Sequence, residues 1–217
     1  MKLGSCIPST TISIVQRFLD KESKSILDVG CGKGKPMRFV NKRGRFYAVG
    51  LDIFKPYLIK AKMEETHDDY VLCDVRYMPV KDKAFDVVLA MEVLEHLGKK
   101  EGVKMLKDIE RMLKDIERIA RKQVIITTPV GRCEQHICDN NPYQEHRCIW
   151  NIDEMKCLGY IVKGVGLRGV FGQDAIAHKI PSVLKPIVHV LWIVSGVFTY
   201  HRPLYASSMI CFKKLNV

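Results

Sequence analysis

Several signals are missing from this chain of 217 residues, and each absence argues against a class of protein. The residues from Met1 to Pro8 contain no apolar stretch of the kind that opens a secretory signal. The clean apolar run within residues 181–200 is about a dozen residues long, which is short for a membrane-spanning helix. We therefore expect the eight cysteines to be reduced thiols in a cytoplasmic protein.

Two common nucleotide-binding signatures are also absent. No G-x-x-x-x-G-K-[ST] phosphate loop fits the glycine-rich segment around Gly30. The dinucleotide fingerprint G-x-G-x-x-G fails as well, because its third glycine would have to stand where Lys35 stands. The glycines of this segment therefore serve another ligand or only the fold.

A dense block of basic residues is missing too, although the formal net charge is +11. Such a charge suits nucleic acid, an anionic membrane face or an anionic substrate. The lysines and arginines are spread along the chain, so a solvated basic surface is the simplest interpretation. With 47% hydrophobic and 27% charged residues, the composition is that of a globular protein with one α/β domain.

The most informative segment that is present runs from Ile26 to Lys35, with the sequence ILDVGCGKGK. It predicts a buried strand, a turn without side chains, and a helix that opens at Pro36. Glycine allows positive φ and lets the backbone approach a ligand closely, while the helix start offers free N–H groups. The segment therefore predicts a site for the polar end of a nucleotide-like cofactor.

The pattern Asp-x-Gly-x-Gly-x-Gly from residue 28 resembles motif I of the class I S-adenosylmethionine-dependent methyltransferases. This resemblance extends over about residues 9–166 and implies a Rossmann-like three-layer α/β sandwich. It also implies a mostly parallel seven-stranded sheet whose antiparallel last strand pairs between strands five and six. The implied cofactor is S-adenosyl-L-methionine, held at this turn by Asp28, Gly30, Cys31, Gly32 and Gly34.

Two acids follow predicted strands at distances that fit the same cofactor. Asp52 stands 22 residues after Gly30, where a Rossmann-like sheet places the carboxylate that holds ribose hydroxyls. The resemblance implies that Asp74 accepts from the adenine amino group and that the backbone N–H of Val75 meets a ring nitrogen. A helix-capping or turn-forming role for either acid remains open. Two further residues are assigned to the cofactor pocket, Ile53 and Met91.

Candidate catalytic residues follow the predicted fourth strand, Val87–Ala90. Glu92 and His96 fall beyond its carboxyl end, where ligands bind in open α/β sheets, and a helical turn would stack one above the other. His146 lies in a segment similar to the acceptor-facing loop of methyltransferases that act on small molecules. Each residue is a candidate to remove a proton from an oxygen acceptor. For His146, a hydrogen bond within the loop is the alternative.

A metal site is not expected in the loop 130–150, although it carries Cys133, Cys138, His146 and Cys148. His146 and Cys148 are separated by one residue, which does not match the usual zinc framework of paired cysteines and histidines.

A heptad is duplicated in the predicted helix 101–120, where Met105–Arg111 repeats as Met112–Arg118. Seven residues are close to two helical turns, so the insertion keeps the apolar face in register and adds roughly 10 Å. The longer helix either protrudes without a role or offers a contact surface to a partner.

We predict one domain over 1–217, with a cofactor-binding core at 9–166, an apolar helical insertion or lid at 167–204 and the last strand at 205–213. The apolar segment 181–200 contains Trp192 and Tyr200 and is flanked by Lys and Arg. It covers the core, or lies at a membrane surface over a lipid-like acceptor, or crosses the membrane; these interpretations stay open.

The function predicted from these features is methyl transfer to a small-molecule or lipid-like acceptor by in-line displacement. The Asn/Asp-Pro-Pro-Tyr/Phe signature of DNA and glutamine methyltransferases is absent, because Asn141-Pro142-Tyr143 lacks one proline and follows strand five. This makes nucleic acid an improbable acceptor. A non-catalytic cofactor-binding scaffold and an RNA-directed methyltransferase that uses the basic surface are the alternatives. The sequence does not indicate an oligomeric state.

Overall fold

A computed structural model describes residues 11–97, 103–131, 139–170 and 185–215. Its centre is a seven-stranded sheet with the strand order β3-β2-β1-β4-β5-β7-β6. Neighbouring strands are parallel except around β7, which pairs antiparallel with both β5 and β6. The predicted fold class and the predicted place of the last strand are therefore confirmed. The strands are β1 (Ser25–Val29), β2 (Tyr47–Asp52), β3 (Asp69–Leu72), β4 (Phe85–Met91), β5 (Ala120–Pro129), β6 (Ile161–Leu167) and β7 (Ala206–Lys214).

The helices cover both faces of this sheet. Alternate residues of β1 point to opposite sides, so that Ile26 joins one core and Leu27 and Val29 join the other. Burial on both faces explains why the parallel strands read as continuous apolar runs. The helices are α1 (Thr11–Phe18), α2 (Lys35–Val40), α3 (Lys55–Met63), α4 (Val103–Ile119), α5 (Ile152–Cys157) and α6 (Lys185–His201).

The duplicated heptads both fall in α4. In the second copy, Met112, Leu113 and Ile116 are buried against the sheet. The side chains of residues 103–109, which include most of the first copy, lie outside the described part of the structure.

The apolar segment near the C-terminus forms α6, which packs along β6 with one face. A Cβ atom added at Gly164 of β6 would lie 2.3 Å from the carbonyl oxygen of Thr199, so glycine permits this close approach. The other face leaves Val190, Leu191 and Val194 more than half exposed. Among the described residues, no helix combines the length and the apolar character that crossing a membrane requires.

Candidate functional site

The glycine turn between β1 and α2 has the geometry that its sequence predicts. Gly30, Gly32 and Gly34 adopt φ values of 69°, 54° and 72°, and Pro36 lies in the first turn of α2. A Cβ atom at Gly30 would lie 2.5 Å from Cγ2 of Val93. The turn is therefore pressed against the end of β4, and its conformation suits glycine far better than any other residue.

Asp28 and Cys31 lie behind the turn. The Asp28 side chain is buried, and its Oδ2 atom lies 3.1 Å from Nε2 of His67, whose Nδ1 atom lies 2.9 Å from Oγ1 of Thr66. Burial, with the charges of Asp28 and Asp52, raises the pKa of the Cys31 thiol well above its ordinary value. The side chains of these two residues support the turn from the protein interior. They would therefore affect cofactor binding only through the conformation of the backbone.

A cleft opens at the carboxyl ends of the parallel strands, with a volume of about 930 Å³ when its mouth is included. That volume includes space open to solvent, and the part open to the centre of a water-sized molecule is about 160 Å³. The structure brings seven of the predicted residues to its wall: Gly30, Asp52, Ile53, Asp74, Val75, Glu92 and His96. Seven lining residues were not predicted as site residues, namely Arg76, Val93, Leu97, Asn141, Tyr143, Gln144 and Arg147. The remaining predicted residues do not line the cleft, namely Asp28, Cys31, Gly32, Gly34, Met91 and His146.

Asp52 has the donors and the space that a diol-binding carboxylate needs. Gly32 N donates to Oδ2 and Phe54 N donates to Oδ1, each at 2.8 Å. Burial raises the pKa of Asp52, while the Phe54 and Gly32 amides oppose that rise. Each carboxylate oxygen keeps a second lone pair, so the vicinal hydroxyls of a ribose fit here. The residue is therefore suited to the role that the sequence assigned to it.

Asp74 is engaged by a side chain that the sequence analysis missed. The backbone N–H of Arg76 donates to Oδ1 at 2.9 Å, and the Arg76 Nε donates to both oxygens at 2.9 and 3.0 Å. Burial alone would raise the pKa of Asp74, but the Arg76 contacts outweigh it and lower the pKa. An adenine amino group bound at Asp74 would have to share these oxygens with Arg76.

The segment after β4 forms the other end of the cleft. The stacking of Glu92 above His96 that a helical turn would give does not occur, because Glu92 adopts φ of 56° and only Leu94–His96 forms a short 3-10 helix. Thr127 Oγ1 donates to Oε1 of Glu92 at 2.9 Å, and burial raises the pKa of the Glu92 carboxyl. A left-handed conformation outside glycine is uncommon and concentrates at functional sites.

His96 and His146 are brought together across the cleft wall. Their rings are 4.9 Å apart, and Nδ1 of His96 donates to the carbonyl oxygen of Glu145 at 3.2 Å. Since a carbonyl only accepts, this bond leaves Nε2 of His96 without a proton. Burial lowers the pKa of His96 to about 4, so the imidazole is neutral at pH 7. The segment that carries His146 is fixed because Arg147 N and Cys148 N donate to the carbonyl oxygen of Glu95.

The turn is also tied to the loop after β5. Lys33 forms an ion pair with Asp139, and the Tyr57 hydroxyl donates to Oδ2 of Asp139 at 3.0 Å. Asp139 lies shortly before the residues of segment 141–147 that line the cleft. The contacts of Asp139 with Lys33 and Tyr57 therefore connect the glycine turn to this segment. Cys133 and Cys138 of the same loop lie outside the described residues.

Comparison with known proteins supports the assignment from the glycine turn. A family described as a methyltransferase domain matches residues 27–122. An uncharacterised protein of Methanocaldococcus jannaschii is 33% identical over 98 residues, which cover 45% of this chain and 40% of the relative. A probable tRNA methyltransferase 9B of Mus musculus is 26% identical over 100 residues, covering 45% of this chain and 21% of the relative. The matched part thus spans less than half the length of these relatives.

A solved structure shares the fold over nearly the whole chain. It is a complex of the Haloferax volcanii Trm112 methyltransferase activator and the putative methyltransferase, and it matches with a TM-score of 0.61. The match covers 93% of this chain and 86% of that chain at 15% sequence identity. Such a likeness shows the fold, whereas the family match identifies the domain. Residues 27–122 therefore match a methyltransferase domain, and the sheet order around them is that of a Rossmann-like methyltransferase fold.

Proposed function

We propose that this chain binds S-adenosylmethionine in the cleft and transfers its methyl group to a small-molecule or lipid-like acceptor by in-line displacement. One observation carries the proposal. One cleft is lined both by Gly30 and the Asp52 carboxylate and by Glu92 and His96. A cofactor held by the first pair and an acceptor held by the second would meet inside one cavity.

The chain's own residues would supply binding and orientation. Asp52 would hold the ribose, while Ile53 and Val75 line the neighbouring wall of the cleft where a purine ring fits. The bound cofactor supplies a methyl group on a sulfonium, which is a good leaving group. Aligning two bound reactants lowers the barrier by up to about 7–11 kcal/mol, so positioning is the main task of this protein.

An oxygen acceptor would also have to lose a proton. Glu92 is the stronger candidate for the base, because its raised pKa makes it more basic than an ordinary glutamate. Neutral His96 presents an unprotonated Nε2, but a pKa of about 4 makes it a weak base. The ring of His146 contacts the ring of His96 but does not line the cleft, so His146 would position His96 rather than contact the acceptor.

The exposed face of α6 supports a lipid-like acceptor, and we propose that it rests on an anionic membrane surface. Val190, Leu191 and Val194 expose 60%, 56% and 64% of their surface to solvent. Arg202 follows the helix, and the chain as a whole carries +11 charges. An apolar helix face next to a basic residue is one feature of helices that lie on anionic membranes.

RNA is the second candidate acceptor, supported by the net charge of +11 and by the partial similarity to a probable tRNA methyltransferase. Phosphate contacts would make RNA affinity fall steeply with salt. Titration of a labelled tRNA at two salt concentrations separates this candidate from a small-molecule enzyme, for which we expect weak binding at physiological salt.

Calorimetric titration with S-adenosylmethionine tests the proposal first, with NAD and ATP as matched controls. We expect selective micromolar binding of S-adenosylmethionine, followed by release of S-adenosylhomocysteine when a suitable acceptor from a panel of lipid-linked and small polar compounds is added. A folded protein that does not bind the cofactor would overturn the proposal. Binding without turnover on any acceptor would favour the non-catalytic scaffold instead.

A further inference from the structure

A cluster of carboxylates and imidazoles lies beside the cleft. Among the described residues, one ligand atom from each of Glu95, His96 and His146 falls within 4.8 Å of the others. Glu92, from the same short segment, is within hydrogen-bond reach of the Glu95 carboxyl group. One acid and two histidines thus converge from the segment after β4 and from the loop after β5, with Glu92 beside the acid.

Glu95 is the least explained member of this cluster. Its side chain is 2% exposed, and Thr128 Oγ1 donates to its Oε2 atom at 3.0 Å. The Oε1 atom receives no hydrogen bond from any described group. A buried carboxylate oxygen without a donor is unfavourable, so such an atom calls for a ligand or a proton.

We propose that Glu95, His96 and His146 bind one divalent first-row transition metal ion. Bond lengths of about 2.0–2.2 Å place three ligand atoms around one metal at most about 3.6 Å from each other. A contraction of up to about 1.2 Å, within reach of side-chain rotation, would therefore bring the three atoms into coordination range. The donors are oxygen and imidazole nitrogen, which suit Mn²⁺, Fe²⁺ or Zn²⁺ better than Mg²⁺ or Ca²⁺.

The contacts around the cluster resemble the outer shell of a metal site. Nδ1 of His96 donates to the carbonyl oxygen of Glu145, which leaves the Nε2 lone pair of the neutral ring available to a ligand. Metal-binding histidines usually donate their second nitrogen in this way. Thr127 and Thr128 donate to Glu92 and Glu95, respectively, and so orient both carboxylates.

The sequence predicts no metal site, because Cys133, Cys138, His146 and Cys148 do not form a zinc framework. The proposed site takes only His146 from that loop. Cys148 is engaged elsewhere, since its Sγ atom donates to the carbonyl oxygen of Leu94 at 3.0 Å. The other ligands are Glu95 and His96, and no short sequence spacing connects them to residue 146.

A metal ion at this place would have a chemical use. Glu92 and His96 face the cleft, so the ion would lie where an acceptor oxygen binds and would lower the pKa of that oxygen. This use rests on the proposed function. The binding of the ion does not, because it requires neither the cofactor nor an acceptor.

Manganese is the best probe, since thiolates favour Zn²⁺ and the chain has eight cysteines. The full chain, freed of metal with a chelator and then dialysed, is titrated with Mn²⁺ while the paramagnetic resonance signal of the free ion is recorded. We expect one ion per chain, with binding weakened at least tenfold in Glu95→Gln and in His146→Ala. Displacement by Zn²⁺ provides a second reading of the same site.

Two controls keep this experiment decisive. His201→Ala removes an exposed histidine far along the chain, and Cys133→Ser/Cys138→Ser removes the thiols that could bind metal in the loop. Both should bind Mn²⁺ like the parent chain. Two further measurements on Glu95→Gln identify the cause of weaker metal binding. Titration with S-adenosylmethionine shows whether the cofactor site is intact, and the melting temperature shows whether the chain is folded. Absence of Mn²⁺ and Zn²⁺ binding, or equal binding in the ligand variants, would overturn the proposal and leave a carboxyl pair that shares a proton.

Discussion

At the scale of single residues, Asp52 is the most direct test of the cofactor site. Replacing it with alanine removes an acceptor whose two oxygens already hold Gly32 N and Phe54 N. We expect Asp52→Ala to weaken S-adenosylmethionine binding by about 1–3 kcal/mol, because charge-assisted hydrogen bonds to the ribose are lost. Calorimetry measures the change, and Asp153→Ala, whose side chain is 91% exposed, is the control. Unchanged affinity would refute the ribose assignment.

Substitution of Gly30 tests the packing of the glycine turn without any bound cofactor. Gly30→Ala should lower the free energy of unfolding by about 1–2 kcal/mol for its positive φ and by about 1–3 kcal/mol more for the overlap with Val93. Gly44 is a matched control, because its φ is also positive, at 57°, while a Cβ atom there would meet nothing within 4 Å. Urea unfolding of both variants gives the comparison.

In Gly30→Ala, a smaller residue at position 93 can remove the overlap of the new Cβ atom with Val93, but it cannot remove the backbone strain of the positive φ. In a double-mutant cycle, Val93→Ala should recover part of the loss caused by Gly30→Ala and none of the loss caused by Gly44→Ala. Equal losses in Gly30→Ala and Gly44→Ala would mean that the turn is not pressed against Val93 as the structure describes.

Some site residues were predictable from the sequence, and others were not, for a physical reason. Asp52, Asp74 and Glu92 follow buried parallel strands, and such strand ends meet at one edge of the sheet. The role of Arg76 was weakly indicated by the sequence, since a basic residue two positions after an acid at a strand end can form a bidentate ion pair with it. The role of Asp139 was not indicated, because its contact with Lys33 spans 106 positions and depends on how a loop crosses the turn.

At the scale of secondary-structure elements, Asp86 fixes the alignment of three strands. It accepts from Lys24 N at 2.8 Å, from Ser25 N at 3.2 Å and from the Arg121 guanidinium at 3.1 Å. Burial alone would raise the pKa of Asp86, but these donors outweigh it and lower the pKa. The start of β1, the start of β4 and the start of β5 are thereby held by one carboxylate.

This pKa shift predicts how stability depends on pH. A carboxyl group with a depressed folded-state pKa stabilises the fold above its unfolded-state pKa, and that contribution is lost as the pH falls through the folded-state value. We expect Asp86→Asn to lower the free energy of unfolding by about 1–3 kcal/mol at pH 7, with a smaller difference from the parent chain below about pH 4. Denaturant titrations at pH 7 and pH 3, with Asp153→Asn as control, measure it. A difference that does not shrink in acid would contradict this account.

The elements themselves were largely readable from the sequence, while one junction was not. Apolar runs predicted the central strands β1 and β4, because burial on both faces leaves little choice of residue. A helical turn after β4 would have stacked Glu92 above His96, since they are four residues apart. Instead, Glu92 adopts a left-handed conformation, which the sequence does not indicate because the residue is not glycine. Thr127 holds Glu92 in this conformation through two hydrogen bonds.

At the scale of the whole molecule, the described residues expose one large apolar feature, the outer face of α6. Folding alone does not require this exposed face, since α6 already packs on β6 where Thr199 meets Gly164. An apolar face left in water is unfavourable unless a partner or a lipid surface covers it, and the net charge of +11 favours an anionic lipid surface.

The last prediction therefore concerns membrane contact. The parent chain should sediment with vesicles that contain anionic lipid, and Val194→Glu/Val197→Glu should bind them about tenfold or more weakly, because burying two valine side chains contributes several kcal/mol. Both valines are 64% exposed, so the fold and the cofactor affinity should be unchanged. Ile59→Glu/Met63→Glu on α3 makes the same change of charge at residues that are 51% and 81% exposed. Equal losses in both double variants would mean that charge alone attracts the chain to lipid, and no sedimentation of the parent chain would refute the contact altogether.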